Sequence, residues 1–291
     1  MLKEGFYTAL GTPLTKEGTV ITESMEKQIE DQIAAGASGL FIFGTMGMGG
    51  CVKDSEYQKV IRAAADIVKG RCTLLAGASE NSIARAAYKI EICNKENIDG
   101  IVLTPPYYFT TDEAGLLNFF KKAASMTHKD LYLYDHEPIT KHKLTYNMVR
   151  MLSRITNVKG IKSFDAVLIK SLTEQLEKED FTAVFSGSDL FDMAYMYGIK
   201  RYMDGIFACM PKSISNVQKC FNRGNFEEAK GLLNQMMQMR DDMISFGIWQ
   251  SFSHAMNLLG YEGCFAPDYE PDISDEAKDA VKNGLIKLGE I

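Results

Sequence analysis

The sequence predicts a (β/α)8 barrel with a C-terminal helical extension, and three observations support this prediction. The chain has 291 residues, and one complete barrel usually takes about 250. Short apolar or β-branched runs alternate with longer amphipathic stretches, which is typical of α/β folds. A doubly wound sheet is the alternative, but no GxGxxG turn follows the first run. We therefore expect one barrel over residues 1–225 and a helical extension over residues 226–291.

The strand candidates are near-continuous apolar runs, as expected for a parallel sheet that is buried on both faces. Eight runs occur in series, and eight such units close naturally into a barrel. They are Phe6–Ala9, Gly39–Phe43, Cys72–Ala76, Gly100–Leu103, Leu131–Tyr134, Lys159–Lys162, Thr182–Phe185 and Gly205–Cys209.

Each parallel connection requires a crossover helix, and an amphipathic stretch follows every strand candidate. These stretches are Ser24–Ala34, Ser55–Val68, Ser82–Asn94, Asp112–Met126, Leu144–Arg154, Ala166–Leu176, Leu190–Tyr197 and Ser213–Cys220. Strand signals end near residue 226. The remaining helix candidates, which form the predicted extension, are Phe226–Ile244, Gln250–Leu259 and Ser274–Leu288.

Composition argues against several classes of function. The formal net charge is −6, whereas a nucleic-acid or anionic-membrane surface needs a basic face, so neither partner is expected. The six cysteines form no CxxC pair, which indicates small buried residues in a reducing compartment. We see neither a leader pattern nor an apolar run long enough to cross a membrane. We therefore expect a soluble, cytoplasmic protein.

Candidate catalytic residues lie where the strands end, because barrel enzymes carry their working residues there. Lys162 closes the sixth strand candidate, and alternation places it on the same face as Gly160 and opposite Ile161. If that face is the barrel interior, loss of solvent disfavours the ammonium and makes the neutral amine available as a nucleophile. The alternative is a surface lysine at the start of a loop.

Two other strand ends supply partners for Lys162. Tyr134 closes the neighbouring strand, and a phenol beside an imine-forming lysine can move protons, although a core aromatic would explain it equally well. Thr45 lies on the glycine-rich turn Gly44–Gly50, whose N–H groups can hold a carboxylate, although a plain tight turn also explains the glycines. The three residues are predicted to converge on one barrel mouth.

The motifs at these strand ends resemble those of the dihydrodipicolinate synthase and N-acetylneuraminate lyase family of class I aldolases. The resemblance covers essentially the whole chain, and the order and spacing of the motifs carry it. The principal motifs are Gly44-Thr45-Met46-Gly47, Thr104-Pro105-Pro106-Tyr107-Tyr108, Tyr134-Asp135 and Gly160-Ile161-Lys162. Supporting motifs are Phe6-Tyr7-Thr8-Ala9, Thr12-Pro13, Ala76-Gly77 and Ser186-Gly187.

The resemblance implies reversible aldol cleavage or condensation of a 2-oxo acid through a Schiff base on Lys162, with no cofactor and no metal. It implies that Tyr134 relays protons and that Thr45 joins the relay and positions the oxo acid. Tyr108 would match the tyrosine that completes the relay across a subunit interface in the synthases, which implies a homotetramer built from dimers. The remaining residues implied at the substrate site are Gly44, Met46, Gly47, Gly187 and Phe207.

The turn after the second strand departs from the family pattern. Met46 replaces a hydroxyl residue, and Met48 replaces a glutamate. Losing the hydroxyl removes one donor to a pyruvate-type carboxylate, worth about 1.5–3 kcal/mol. Thr45 and the backbone N–H groups remain to hold the carboxylate.

The acceptor side of the site also departs from the synthases, which carry an arginine a few residues after the tyrosine. No arginine lies in 137–141, and Lys141 cannot reproduce the bidentate fork. His136 and Glu137 instead bring hydrogen-bonding groups to the mouth, as suits a polyhydroxylated aldehyde, although an exposed polar loop explains them equally well. Asp189 resembles the aspartate with which sialic acid lyases hold their sugar, although Leu190 replaces the glutamate that follows.

The substrate expected from these departures is a 2-keto-3-deoxy sugar acid or a sialic acid. A dihydrodipicolinate synthase of lysine biosynthesis is the next alternative, and a dehydratase acting through the same imine is a further one. A metal-dependent aldolase would need clustered ligands, and the four histidines show no ligand spacing. A catalytically altered binding protein would explain Met46 and Met48, but the retained Lys162, Tyr134 and Thr45 argue against it.

Overall fold

Eight parallel strands form a closed barrel in which each strand pairs with the next and the last pairs with the first. The computed structural model describes the backbone of residues 1–291 and their side chains other than that of residue 177. The strands are β1 (Gly5–Ala9), β2 (Gly39–Ile42), β3 (Thr73–Gly77), β4 (Gly100–Leu103), β5 (Asp130–Asp135), β6 (Val158–Ser163), β7 (Thr182–Phe185) and β8 (Arg201–Asp204). The predicted (β/α)8 fold is confirmed.

Helices follow the strands and cover the outside of the barrel. They are α1 (Thr22–Ala34), α2 (Asp54–Val68), α3 (Ile83–Lys95), α4 (Glu113–Ser125), the short α5 (Glu137–Thr140), α6 (Tyr146–Leu152), α7 (Ala166–Leu176), α8 (Phe191–Met196) and α9 (Pro211–Asn222). Several begin where the sequence offers a capping side chain. Ser82, Asp112 and Thr145 each accept a hydrogen bond from the N–H three residues later, which satisfies a helix-terminal donor.

Three further helices follow α9: α10 (Phe226–Phe246), α11 (Ile248–Leu258) and α12 (Asp275–Leu288). α10 packs against α9 and α12, and α11 packs against α12. The predicted division of the chain after residue 225 stays a prediction. Among the described residues, no helix combines the length and apolarity that a membrane crossing requires.

Side chains alternate between two apolar clusters along the strands, as the twofold period of a strand requires. Tyr7 of β1 lies inside the barrel, whereas its neighbour Phe6 packs outward against the helices. Tyr132 and Tyr134 likewise point inward and Leu133 points outward. The inner cluster also contains Leu2, Phe41, Leu75, Val102, Val184 and Met203.

The position of the eighth strand differs from the prediction, which placed it at 205–209. β8 is formed by Arg201–Asp204 and pairs with β1. Ile206–Cys209 forms a buried 3-10 turn, and Asp204 Oδ1 accepts a hydrogen bond from the N–H of Ile206 at 3.0 Å. The prediction was wrong because an apolar run indicates burial rather than extended backbone.

The glycine-rich turn after β2 packs tightly against the end of β3. Phe43 and Met48 have positive φ angles of 58° and 51°. A Cβ on either Gly49 or Gly77 would lie 2.3 Å from the carbonyl oxygen of Phe43, so both positions require glycine. The Phe43 ring also stacks on Tyr57 of α2, with centroids 4.6 Å apart. These contacts fix the backbone of the turn at the barrel mouth.

Candidate active site

Lys162 lies near the end of β6 and points into the barrel, where its register partner on β5 is Tyr134. Its side chain is only 8% exposed, and Nζ lies 4.0 Å from the centroid of the Tyr134 ring. None of the described carboxylates forms a salt bridge with this amine. Among the described residues the Lys162 amine is thus buried without a carboxylate counter-ion, which is the environment that an imine-forming lysine would need.

Tyr134 connects Lys162 to the turn after β2. Its hydroxyl lies 3.3 Å from Thr45 Oγ1, and either group can donate the hydrogen bond. Phe41 meets the Tyr134 ring edge-on, with centroids 6.3 Å apart, and limits its rotation. Lys162, Tyr134 and Thr45 thus form a continuous line from an amine through two hydroxyls, which is an arrangement suited to proton transfer.

The turn after β2 presents unused backbone donors. The N–H groups of Thr45, Met46 and Gly47 donate to no acceptor among the described residues. The carbonyls around them are occupied, because Thr12 Oγ1 donates to Gly47 at 2.6 Å and the N–H of Met48 donates to Thr45 at 3.0 Å. Successive free N–H groups in a fixed turn form an anion-binding concavity.

Met46 closes one side of this concavity. A Cβ built on Gly205 would lie 1.9 Å from Met46 Cγ, so the methionine side chain lies directly against the backbone that follows β8. Gly205 is required there because any larger residue would displace Met46. An apolar side chain therefore occupies space beside the free N–H groups.

Two adjoining cavities open at the barrel mouth. The catalytic cavity has a volume of about 190 Å³ and the outer chamber one of about 210 Å³. The catalytic cavity is lined by Ala9, Phe41, Thr45, Met46, Tyr134, His136, Lys162, Phe164, Ser186, Asp204 and Gly205. The outer chamber is lined by Phe41, Phe43, Gly44, Thr45, Met48, Gly49, Gly50, Cys51, Gly77, Ser79, Thr104, Tyr107, Tyr134, Ile139, Trp249, Pro267 and Tyr269.

His136 brings a neutral imidazole to the catalytic cavity. Its ring lies between Tyr134 and Phe164, with centroid distances of 5.3 and 6.0 Å. Burial, followed by the nearby charge of Lys162, lowers the pKa of His136 to about 4. The Nδ1 atom is buried without a hydrogen-bond partner among the described residues. At neutral pH this ring can accept or donate a hydrogen bond without adding positive charge beside Lys162.

A buried hydrogen-bond network joins β5 and β6 next to Tyr134 and Lys162. Asp135 accepts hydrogen bonds from Lys143 Nζ, from Ser163 Oγ at 2.7 Å and from the N–H of Leu144 at 3.0 Å. Burial opposes charge on Lys143, but hydrogen bonds to Asp135 and Asp165 outweigh it and raise the pKa of the ammonium. Because Asp135 follows Tyr134 and Ser163 follows Lys162, the network fixes the register of Tyr134 and Lys162.

Comparison with protein-family models identifies the chain. The model of the dihydrodipicolinate synthetase family matches residues 2–283. The chain belongs to the dihydrodipicolinate synthetase family. It is accordingly an enzyme, a lyase of the class I aldolase type that acts on small molecules.

Curated relatives of this family member span nearly its full length. The 4-hydroxy-tetrahydrodipicolinate synthase of Methanosphaera stadtmanae is 26% identical over 266 residues, which is 89% of each chain. The enzyme of the same name from Desulfotalea psychrophila is 29% identical over 259 residues, covering 88% of this chain and 86% of the relative.

Solved structures of family proteins share the fold. The Escherichia coli K12 prophage protein YagE, in complex with pyruvate, superimposes with a TM-score of 0.90 at 21% identity over the full length of both chains. A dihydrodipicolinate synthase from Acinetobacter baumannii, complexed with pyruvate, gives a TM-score of 0.89 at 21% identity and the same coverage. At these identities the similarity shows the barrel and its helices.

The two cavities are not lined by Tyr108, Asp189 and Phe207, which are predicted site residues of this family member. Tyr108 is 75% exposed; its backbone N–H donates to Asn81 Oδ1 at 2.9 Å, and its ring meets the equally exposed Phe109 edge-on. Asp189 is bound by both terminal nitrogens of Arg240 at 2.7 and 2.8 Å, so its carboxylate faces α10. Phe207 is fully buried against Phe6 and Tyr202.

The assignment of Gly187, Asp189 and Phe207 to the substrate site stays a prediction. Gly187, Asp189 and Phe207 lie outside the linings of the catalytic cavity and the outer chamber, and a Cβ on Gly187 would meet the Phe185 ring at 2.5 Å. The family resemblance implied Phe207 at the pocket, and in the structure this residue lies in the buried 3-10 turn that follows β8. Gly44 lines the outer chamber, and Gly47 contributes its free N–H to the turn.

Several lining residues were not assigned from the sequence. Phe164 lies two residues after Lys162, and continued alternation would have placed it on the same side. Asp204 ends β8, and the strand-end rule would have selected it had that strand been located correctly. Trp249 lies in the first turn of α11 and Tyr269 lies between α11 and α12. Neither residue follows a strand, so the strand-end rule could not have selected it. The described residues contain no cluster of three or more His, Cys, Asp or Glu that could hold a metal ion.

Proposed function

We propose that this enzyme catalyses reversible aldol cleavage or condensation of a 2-oxo acid through a Schiff base on Lys162. The observation that carries the proposal is the line from Lys162 through Tyr134 to Thr45 inside one small cavity. A buried amine without a counter-ion, two hydroxyls and an adjacent set of free N–H groups are together the groups that this chemistry needs.

The proposed reaction begins when Lys162 Nζ attacks the 2-oxo carbon. The resulting carbinolamine loses water, and Tyr134 with Thr45 carries the protons that this step requires. Tyr134 then takes the C3 proton, and the electrons of the C3–H bond move toward the protonated imine nitrogen. The substrate becomes an enamine. The enamine attacks the aldehyde carbon, and the aldehyde oxygen receives a proton from Tyr134. Hydrolysis of the imine releases the product and restores the amine.

The free N–H groups of Thr45, Met46 and Gly47 are the proposed binding site for the carboxylate of the oxo acid. Thr45 Oγ1 lies beside them and supplies a side-chain donor. The site contains no arginine or second lysine among the described lining residues. Carboxylate binding therefore depends on backbone donors and on the charge that Lys162 acquires as an imine.

For the acceptor, the sequence led us to expect a 2-keto-3-deoxy sugar acid or a sialic acid. His136, Ser186 and Asp204 line the catalytic cavity and are the groups that would bind hydroxyls close to the new carbon–carbon bond. Asp189 does not support this substrate because Arg240 already occupies its carboxylate. The sugar-acid substrate stays a prediction.

The second candidate function is 4-hydroxy-tetrahydrodipicolinate synthase, which is favoured by the names of the relatives from M. stadtmanae and D. psychrophila. The proposed imine chemistry would be the same, and only the acceptor would differ. Against this candidate, Ile139 lines the wall of the outer chamber in the stretch where the synthases carry arginine.

We further propose a cytoplasmic homotetramer built from dimers. Tyr108 is too exposed to act within its own subunit, so a role in the relay would require insertion into a neighbouring site. α8 and the residue that follows it also present Met193, Met196 and Tyr197 to solvent, at 52%, 68% and 68% exposure, which is an apolar surface suited to subunit contact. The cysteines of the described chain are free thiols, as suits a reducing cytoplasm.

Borohydride trapping with pyruvate and other 2-oxo acids, followed by intact-mass measurement, tests the proposal. We expect a covalent adduct on the wild type and none on Lys162→Ala. Tyr134→Phe should slow adduct formation, because the relay loses its hydroxyl, by about 10²–10⁴-fold. If every oxo acid fails to give an adduct, the Schiff base is refuted. An adduct without turnover of any aldehyde would favour the catalytically altered binding protein.

A further inference from the structure

We infer that the acceptor is an uncharged aldehyde whose apolar, planar substituent binds in the outer chamber between Trp249, Tyr269 and Ile139. The inference rests on the proposed function, because it names the class of aldehyde that the Lys162 enamine attacks. It differs from the expectation from sequence, which favoured a polyhydroxylated acceptor.

The outer chamber is placed to receive this substituent. It shares Phe41, Thr45 and Tyr134 with the catalytic cavity, so the two spaces meet at the relay hydroxyls. The bond-forming carbon must lie beside Tyr134 because the aldehyde oxygen takes its proton there. A substituent on that carbon then has a direct path past Tyr134 into the outer chamber.

The lining of the outer chamber argues against a negatively charged acceptor. Among the described lining residues it contains no lysine and no arginine, and Lys162 of the catalytic cavity is consumed by the imine. An acceptor carboxylate would lose its hydration without gaining a cation, which is strongly unfavourable. Ile139, which is 47% exposed, lies in the chamber wall at the position from which a charged side chain would contact the substituent.

The same lining favours an apolar and planar group. Trp249, Tyr269 and Tyr107 contribute rings, and Met48 and Pro267 contribute apolar surface. Rings of this kind pack well against another flat ring, and burial of apolar surface supplies the driving force. A polyhydroxylated chain would compete with existing hydrogen bonds, because Ser79 Oγ accepts from the N–H of Thr104 at 2.9 Å and Thr104 Oγ1 donates to the carbonyl of Pro105 at 2.9 Å.

The C-terminal segment supplies the most distinctive part of this surface. Trp249 lies in the first turn of α11, and Pro267 and Tyr269 lie between α11 and α12. The barrel therefore supplies the catalytic groups, while the residues after α10 supply the wall that selects the acceptor.

The test is a comparison of kcat/KM for three aldehydes with pyruvate as donor: benzaldehyde, succinic semialdehyde and D-glyceraldehyde. We expect the wild type to prefer benzaldehyde by about tenfold or more over the other two, which is the factor that a modest apolar contact provides. Trp249→Ala should reduce this preference by about tenfold, whereas Tyr88→Ala, which removes an exposed ring on α3, should leave it unchanged.

A gain-of-function variant completes the test. Ile139→Arg places a cation in the chamber wall and should shift the ratio of kcat/KM toward succinic semialdehyde by about tenfold, because Arg pairs with carboxylate. Ile139→Gln is the matched control, since it adds polarity without charge and should not produce the shift. Borohydride trapping with pyruvate is run on every variant, so a failure to form the imine is seen separately.

Several outcomes would overturn the inference while leaving the imine intact. One is a wild-type preference for D-glyceraldehyde or succinic semialdehyde. Another is an unchanged preference in Trp249→Ala, as would occur if the partner's Tyr108 filled the chamber. Absence of turnover with all three aldehydes, despite a trapped pyruvate adduct, also overturns it. Absence of the adduct itself would instead refute the proposed function.

Discussion

In the proposed carboxylate site, Met46 is the residue expected to limit how tightly the oxo acid binds. The residue lines the catalytic cavity and lies against Gly205, so it contributes apolar bulk beside the free N–H groups. Met46→Thr should tighten pyruvate binding by roughly ten- to a hundredfold, because a hydroxyl donor to a charged acceptor is worth about 1.5–3 kcal/mol. Calorimetric titration of pyruvate measures the change.

Met46→Ala is the control for this prediction. It removes the bulk of the methionine without adding a hydroxyl, and it should not reproduce the gain. Equal tightening in both variants would show that space, rather than hydrogen bonding, limits the carboxylate site.

The lowered pKa of His136 makes a separate prediction about stability. The ring is neutral in the folded protein down to about pH 4, whereas the unfolded ring titrates near its ordinary value of 6.5. The unfolded state therefore binds more protons between these values, and the free energy of unfolding falls as pH drops through that window. His136→Gln removes this contribution.

Urea denaturation of wild type and His136→Gln at pH 7 and pH 4 measures it. The wild type should lose about 3 kcal/mol more than the variant between these pH values. If the free energy of unfolding changed equally with pH in the two proteins, burial and the charge of Lys162 would not be holding the ring neutral.

At the scale of single residues, the sequence was most informative where one rule applied. Lys162, Tyr134 and Thr45 were identified because strand ends in a parallel barrel meet at one mouth. The structure brings these three together. Trp249 and Ile139 could not be assigned in this way, because their places in the outer chamber depend on how distant loops and helices fold over the mouth.

At the scale of elements, the junction of β5 and β6 depends on the buried carboxylate of Asp135. Lys143 bridges Asp135 and Asp165, and Ser163 donates to Asp135 from the next strand. Asp135→Ala should lower the free energy of unfolding by about 3 kcal/mol, because Lys143, Ser163 and the N–H of Leu144 would lose the carboxylate to which they donate. Chemical denaturation checks this value.

Glu174→Ala provides the comparison for Asp135→Ala. Glu174 pairs with Lys170 on the surface of α7, with both side chains about half exposed, and such a pair is worth less than about 0.5 kcal/mol. A similar loss in the free energy of unfolding in the two variants would contradict a stabilising role for the network between β5 and β6.

The elements were predicted well where polarity and periodicity agreed. β4, β7 and α7 have the same bounds in the prediction and in the structure. β8 was misplaced because Arg201 and Asp204 give it charged ends and leave only Tyr202 and Met203 buried between them. The more apolar run after it was chosen instead, although its burial comes from packing of a 3-10 turn against α11 and β1.

At the scale of the whole molecule, the proposed tetramer predicts that active sites are shared. Tyr108→Phe and Lys162→Ala should each be strongly impaired alone. When the two variants are mixed and allowed to exchange subunits, some interfaces combine a native Lys162 with the partner's Tyr108. Roughly a quarter of the sites should regain activity if dimers form at random.

Aldol turnover of the mixture, together with sedimentation of the wild type, tests this sharing. A monomer in sedimentation, or no recovery on mixing, would contradict it. A Tyr108→Phe variant with normal turnover would also show that Tyr108 takes no part in the relay.

The inner apolar cluster has a consequence for the lifetime of the proposed covalent intermediate. Leu2, Val184 and Met203 lie beneath Lys162 together with the rings of Tyr7 and Tyr132, so an apolar layer lies between Lys162 and the far end of the barrel. Water that hydrolyses the proposed imine would then arrive through the mouth rather than across this layer. An aldehyde bound at the mouth would both accept the attack of the enamine and exclude that water. Its presence would then decide whether a carbon–carbon bond forms or the oxo acid is released unchanged.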